Sequence, residues 1–151
     1  MSTSNFNLSE QIRQSILLLE SKWSNKAIDM NIDLDETSYI GNEELLKQVW
    51  VNLIDNAIKF TDKKGRIDIQ LMSFNDCTIF KIKDTGIGMT SETKKHIFDK
   101  FYQGDTSHIT EGNGLGLTMV NKIINLHKGY IEVKSQHSKG TIITVTLPVN
   151  Q

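Results

Sequence analysis

Asn52-Leu53-Ile54-Asp55-Asn56-Ala57-Ile58-Lys59-Phe60-Thr61 closes a helical pattern that decides how the rest of the chain is read. Leu46, Val49, Trp50, Leu53, Ala57 and Ile58 recur at three- and four-residue spacing and define an inner face, while Asn42 has the side chain to cap the start. Asn52 and Asn56 lie four apart, so both project from one face, and Lys59 follows three residues later. Asparagine is a poor helix former, and a pair of them invites a reason beyond a polar helix edge. An amide oxygen is a neutral, hard ligand that can complete the shell of a Mg²⁺ ion already held by phosphates, and a nearby lysine adds a point charge for the same phosphates.

Working outward, Asn7 with Glu10 resembles a capping box, and Ile12, Ile16, Leu19 and Trp23 share helical spacing. They predict one helix over about residues 8–29, followed by a short strand at 31–34. Downstream, Lys63-Lys64-Gly65 breaks the pattern, and residues 66–74 and 78–83 alternate as a hairpin around Asn75-Asp76. Thr90 or Ser91 can cap a short helix through Phe98, and 103–113 reads as a mobile polar loop. From Leu115 a helical stripe of Leu117, Val120, Ile123, Ile124 and Leu126 runs to a C-cap at His127-Lys128-Gly129. Residues 130–135 and 141–147 form a second hairpin, with Pro148 ending the sheet. The simplest way to bury every stripe is an α+β, two-layer sandwich: a mixed, mostly antiparallel sheet covered on one face by about three helices. Residues 1–5 read as a tail or an artificial start, and 6–149 as one domain.

At 151 residues the chain is of single-domain length, and folding can bury about 70% of its unfolded surface without a disulfide or structural metal. A net charge of −1 gives no reason to expect nucleic acid as a partner. The one cysteine, Cys77, excludes an internal disulfide and a multi-cysteine zinc site, and fits a reducing compartment. Its longest aliphatic run, Ile16-Leu17-Leu18-Leu19, is far too short to enter a bilayer as a span. The expected location is the cytoplasm, which leaves a membrane anchor on a longer parent open.

Two glycine loops complete the reading. Gly112-Asn113-Gly114-Leu115-Gly116-Leu117 precedes a helix, whose first turn offers unpaired N–H donors and a partial positive charge to an anion. Asp84-Thr85-Gly86-Ile87-Gly88 follows a strand; its carboxylate can accept a hydrogen bond from an exocyclic amine, and the glycines leave room for a flat ring. Asp and Gly also favour ordinary turns. Asp-Thr-Gly is in addition the aspartic-protease signature, a reading that leaves the asparagine pair and the second glycine loop unexplained.

Together these segments resemble the boxes of sensor histidine kinases. Residues 52–61 resemble the N box, 84–88 the G1 box, Phe98-Asp99-Lys100-Phe101-Tyr102 the F box, and 112–117 the G2 box. Four motifs in one order are far more specific than any alone. The resemblance implies the Bergerat ATP-binding fold of the GHKL group, shared with gyrase, heat-shock protein 90 and the mismatch-repair ATPase. It also implies that Asn56 ligates Mg²⁺, that Asn52 supports the phosphates or the metal's hydration, and that Lys59 contacts phosphate. Asp84 would bind the adenine amine, with Gly86 and Gly88 shaping the ring pocket and Thr141 holding adenine through water. Gly112, Gly114, Leu115, Gly116 and Leu117 would close over the phosphates. Many members place an arginine after the F-box tyrosine; here the residue is Gln103, and Lys100 is the neighbouring cation that can substitute.

Within the resembled group, hydrolases and small serine kinases carry a glutamate four residues before the metal-binding asparagine. Here that position is Asn52, and an amide cannot take a proton from water or a hydroxyl, whereas a neutral imidazole needs no strong base. Phosphoryl transfer from ATP to histidine is thereby favoured. The four histidines, His96, His108, His127 and His137, all lack the Glu or Asp that usually follows a phosphoacceptor. The expected partners are ATP, a histidine-bearing dimerisation domain, and indirectly a response regulator. Two alternatives stay open: a nucleotide-binding regulatory module without phosphotransfer, and a serine kinase or ATP-hydrolysing clamp.

Overall fold

The computed structural model describes residues 1–86, 117–136 and 139–149. In these, strands β1 (Ser4–Asn7), β2 (Asp29–Leu34), β3 (Ser38–Gly41), β4 (Arg66–Ser73), β5 (Cys77–Asp84), β6 (Tyr130–Gln136) and β7 (Gly140–Pro148) alternate with four helices. The helices are α1 (Leu8–Leu18), α2 (Glu20–Asn25), α3 (Glu43–Phe60) and α4 (Thr118–Leu126). The main sheet has the order β2-β4-β5-β7-β6, and β1 pairs with β3 in a separate two-stranded ribbon. Only β2 and β4 run parallel, because β3 and α3 intervene; the other pairs are antiparallel. The expected mixed, mostly antiparallel sheet with its helical cover is therefore present.

α3 is the spine. Asn42 caps it by accepting the Leu45 N–H at 2.9 Å, and it buries Leu46, Val49, Trp50, Leu53, Ile54, Ala57 and Ile58. The sheet answers with period-two alternation, Ile67, Ile69 and Leu71 on β4 and Phe80 and Ile82 on β5 all lying in the core. Trp50 stacks at a tilt on Phe80, ring centroids 4.7 Å apart, and its indole N–H donates to Gln11 Oε1 on α1 at 2.8 Å. A buried aromatic is thus satisfied at both its apolar body and its polar edge.

Three features differ from the sequence expectations. The first helix breaks at Leu19, where φ is −102° and ψ 13°, and the Trp23 indole N–H bonds the Ile16 carbonyl at 3.0 Å. It ends before residue 29, because Ala27 turns to φ 53° and Asp29 begins β2. Ser4 and Asn5, expected in a tail, form half of β1, held by pairing with β3. At the end of α4 the expected C-cap at His127-Lys128-Gly129 is present, with Lys128, at φ 62°, in the left-handed position and the Gly129 N–H on Ile124 O at 3.0 Å.

Candidate functional site

Asn52, Asn56 and Lys59 occupy the C-terminal half of α3. Asn56 is 7% exposed, enclosed among the apolar residues of that helix. Its Nδ2 donates to Asn52 Oδ1 at 3.2 Å. This hydrogen bond uses the nitrogen of Asn56 and leaves its oxygen, the harder donor, as the atom to offer a cation. Lys59, half-buried, sits in the last turn. α3 ends where Thr61 turns back, its hydroxyl donating to Ala57 O at 2.7 Å.

Asp84 is the last residue of β5 and is 8% exposed. Burial pushes its carboxyl up to about 6, against the backbone N–H groups of Gly86 and Thr141, which favour the charged form. The Gly86 N–H reaches Oδ1 at 2.8 Å. A Cβ on Gly86 would lie 2.2 Å from Phe60 O at the end of α3, so no side chain fits between the two elements. Gly140 closes the other side: at φ 93° it adopts a backbone suited to glycine, and a Cβ there would come within 2.1 Å of Asp84 O. Thr141, opposite Asp84 in the β5–β7 register, shares a 2.9 Å hydroxyl contact with Ser135. A cleft of about 360 Å³ beside Asp84 is bordered by Lys83, Asp84, Lys134, Ser135, Lys139, Gly140, Thr141 and Ile142, all from β5, β6, β7 and the turn before β7.

The fold therefore brings the end of α3 against the end of β5, placing the asparagine pair and Asp84 on elements joined at Phe60 and Gly86. Leu117 is fully buried ahead of α4. Gly88, Lys100, Gln103, the F-box aromatics, Gly112, Gly114, Leu115 and Gly116 lie outside the described residues, as do the expected short helix and polar loop. Sequence reasoning missed Ser135, whose Oγ also donates to Gly140 O at 3.1 Å; a serine in an alternating strand carries no signal of that role. His127, read as a helix-end residue, is buried, with Nδ1 against Ile123 O at 2.8 Å and Nε2 accepting the Asn42 N–H at 3.0 Å.

The donor set fits a metal that arrives with its own ligands. Among the described residues no cluster of three His, Cys, Asp or Glu could hold an ion by itself. One amide oxygen beside a polyphosphate suits Mg²⁺, which keeps most of its shell from phosphate and water.

Comparison with known proteins identifies the family. Residues 41–151 match the family described as histidine kinase-, DNA gyrase B- and HSP90-like ATPase. The chain belongs to this family. It is of the histidine-kinase type within it: the sensor histidine kinase RppB of Synechocystis sp. is 40% identical over 126 residues, covering 81% of this chain. The nucleotide-free catalytic domain of histidine kinase ThkA superimposes with a TM-score of 0.87 at 29% identity, over 100% of both chains. ThkA in complex with the response regulator protein TrrA matches at a TM-score of 0.82 and 27% identity, covering 98% of this chain and 42% of that one. The kinase domain spans 28% of the length of RppB. Among the described residues no helix is long and apolar enough to cross a membrane.

Proposed function

We propose that the kinase domain binds Mg²⁺-ATP between the end of α3 and the end of β5 and donates the γ-phosphoryl to a histidine on a separate helical dimerisation domain. A response regulator then receives it in a two-component pathway. Asp84 accepts the adenine amine, and Gly86 and Gly140 let the backbone close tightly around it on both sides. The Asn56 oxygen, supported by Asn52, faces the metal, and Lys59 faces the phosphates. When bound, the ion supplies charge neutralisation across the polyphosphate; the residues of the chain orient and hold it.

The observation that carries this reading is the Asn56–Asn52 hydrogen bond of 3.2 Å. It puts an amide, not a carboxylate, one turn before the metal-facing residue, so nothing at that position takes a proton from water or from a hydroxyl acceptor. An imidazole nucleophile needs no such base. His127 is not that nucleophile, since it is buried and both its ring nitrogens are engaged. ThkA with its response regulator provides the parallel for the downstream partner.

The test is to mix the domain with γ-labelled ATP and a dimerisation-domain fragment of its parent. Acid-labile, base-stable label on the fragment is expected. Label that never leaves ATP, with binding intact, would favour a nucleotide-holding regulatory module. Brisk release of inorganic phosphate by the domain alone would favour a hydrolase.

A further inference from the structure

α3 presents the wrong end to a polyphosphate. Its final carbonyls carry the negative end of the helix dipole; of these Thr61 meets only Ala57 O through its hydroxyl and Ile58 O through its N–H, and Asn56 and Lys59 lie in the last turns. Anions are disfavoured there, so the site needs cationic help beyond that of Lys59.

Lys26 supplies it from outside the motif. An ammonium has three N–H donors, and Lys26 Nζ places them on Ile58 O at 2.8 Å, Lys59 O at 3.2 Å and Thr61 O at 2.9 Å. Its backbone is anchored too: Lys26 O accepts the Lys64 N–H at 2.8 Å, and Asp29 N–H bonds Gly65 O at 2.8 Å. The connection into β2 is thus tied to the loop that leaves α3. Phe60, bracketed by the three bonded carbonyls, is the residue whose own carbonyl limits Gly86 to a hydrogen. One ammonium therefore braces the turn that bears Lys59 and forms the wall beside the Asp84 corner.

We infer that Lys26 is a positioning residue for polyphosphate binding, offsetting the negative end of α3 and fixing the turn that carries Asn56 and Lys59. The inference rests on the nucleotide reading proposed above. Lys26 acts through α3, and its effect grows with the number of phosphates on the ligand.

The experiment measures Kd for Mg²⁺-ATP, Mg²⁺-ADP and adenosine by calorimetry, at low and high salt, for wild type, Lys26→Gln, Lys26→Met and Lys26→Arg. Gln retains N–H donors without charge, so a folded neutral variant is available even where Met, which has none, unfolds the chain. Lys26→Gln is expected to weaken ATP by roughly five- to tenfold at low salt and ADP by less. Adenosine affinity should stay within about twofold of wild type, the loss should shrink at high salt, and Arg should retain most of the ATP affinity. Equal losses for all three ligands would reduce Lys26 to a structural brace and overturn the inference, as would unchanged ATP affinity in Lys26→Gln. If wild type binds none of the three, the nucleotide reading itself falls; if wild type binds and Lys26→Gln matches it, only the role of Lys26 falls.

Discussion

Replacing Asp84 by asparagine should stabilise the unliganded domain while damaging its site. The carboxyl is 8% exposed, and burial raises it from 3.8 to about 6. The unfolded chain releases that proton near the ordinary value, so between the two values the native state holds a proton that the unfolded state has lost. The stability that the protonated group retains is fully present below about pH 4 and is lost as pH rises through about 6. The whole decline amounts to about 3 kcal/mol. Asp84→Asn removes the ionisation but cannot accept from both Gly86 and Thr141 as a carboxylate does, a loss of ~1 kcal/mol. The variant should therefore be more stable than wild type by about 1–2 kcal/mol near pH 7.5, with a flatter pH profile. ATP affinity should fall by roughly 10- to 100-fold, the worth of a hydrogen bond to a charged acceptor. Urea denaturation followed by the fluorescence of the fully buried Trp50, at several pH values, reads the stability directly. A wild-type chain whose stability does not decline between about pH 4 and pH 7, or a variant less stable at neutral pH, would refute the reasoning.

Other consequences follow from the same geometry. Gly86→Ala places a Cβ 2.2 Å from Phe60 O, so stability should drop by about 1–3 kcal/mol and adenosine binding should weaken, read by urea melts and calorimetry. Lys128→Gly relieves a lysine held at φ 62° and should gain ~0.5–1 kcal/mol, raising Tm by about 1–4 °C in a thermal melt with ATP binding unchanged. Asn42→Ala removes the cap on Leu45 N–H and should cost about 0.5–2 kcal/mol in the same melts.

Much of the architecture could be read because local signals agreed with the tertiary fold. α3 announces itself by a cap and a continuous apolar stripe, and both hairpins by alternation across recognisable turns. β1 and β3 could not be read that way: each is four residues long, and each pairs only with the other. Phe6 and Tyr39 are their buried anchors, too few to show a period. The break at Leu19 was hidden because its own side chain continues the helical stripe into the core. The stop of α4 at His127-Lys128-Gly129 was legible, but not why the glycine is needed: Gly129 is pressed against Thr146 O, where a Cβ would lie at 2.3 Å, while the left-handed turn falls on Lys128.

Within the site, Asn52, Asn56 and Asp84 could be picked out because their residue types are costly or unusual where they stand. Their mutual placement was not visible, because the end of α3 meets the segment just after β5 through backbone atoms, with Phe60 O against Gly86. Lys26 and Ser135 were invisible for a related reason: each acts on carbonyls of another segment, which no spacing rule encodes.

The central claim is that a metal–polyphosphate is held by Asn56 at the end of α3. Calorimetric titration of ATP into wild type and Asn56→Ala, each with Mg²⁺ and with a chelator, tests it most directly. Wild type should bind ATP more tightly with Mg²⁺ than without, and Asn56→Ala should bind ATP equally weakly in both conditions while keeping its affinity for adenosine. An Asn56→Ala chain that still gains affinity from Mg²⁺ as wild type does would contradict the account.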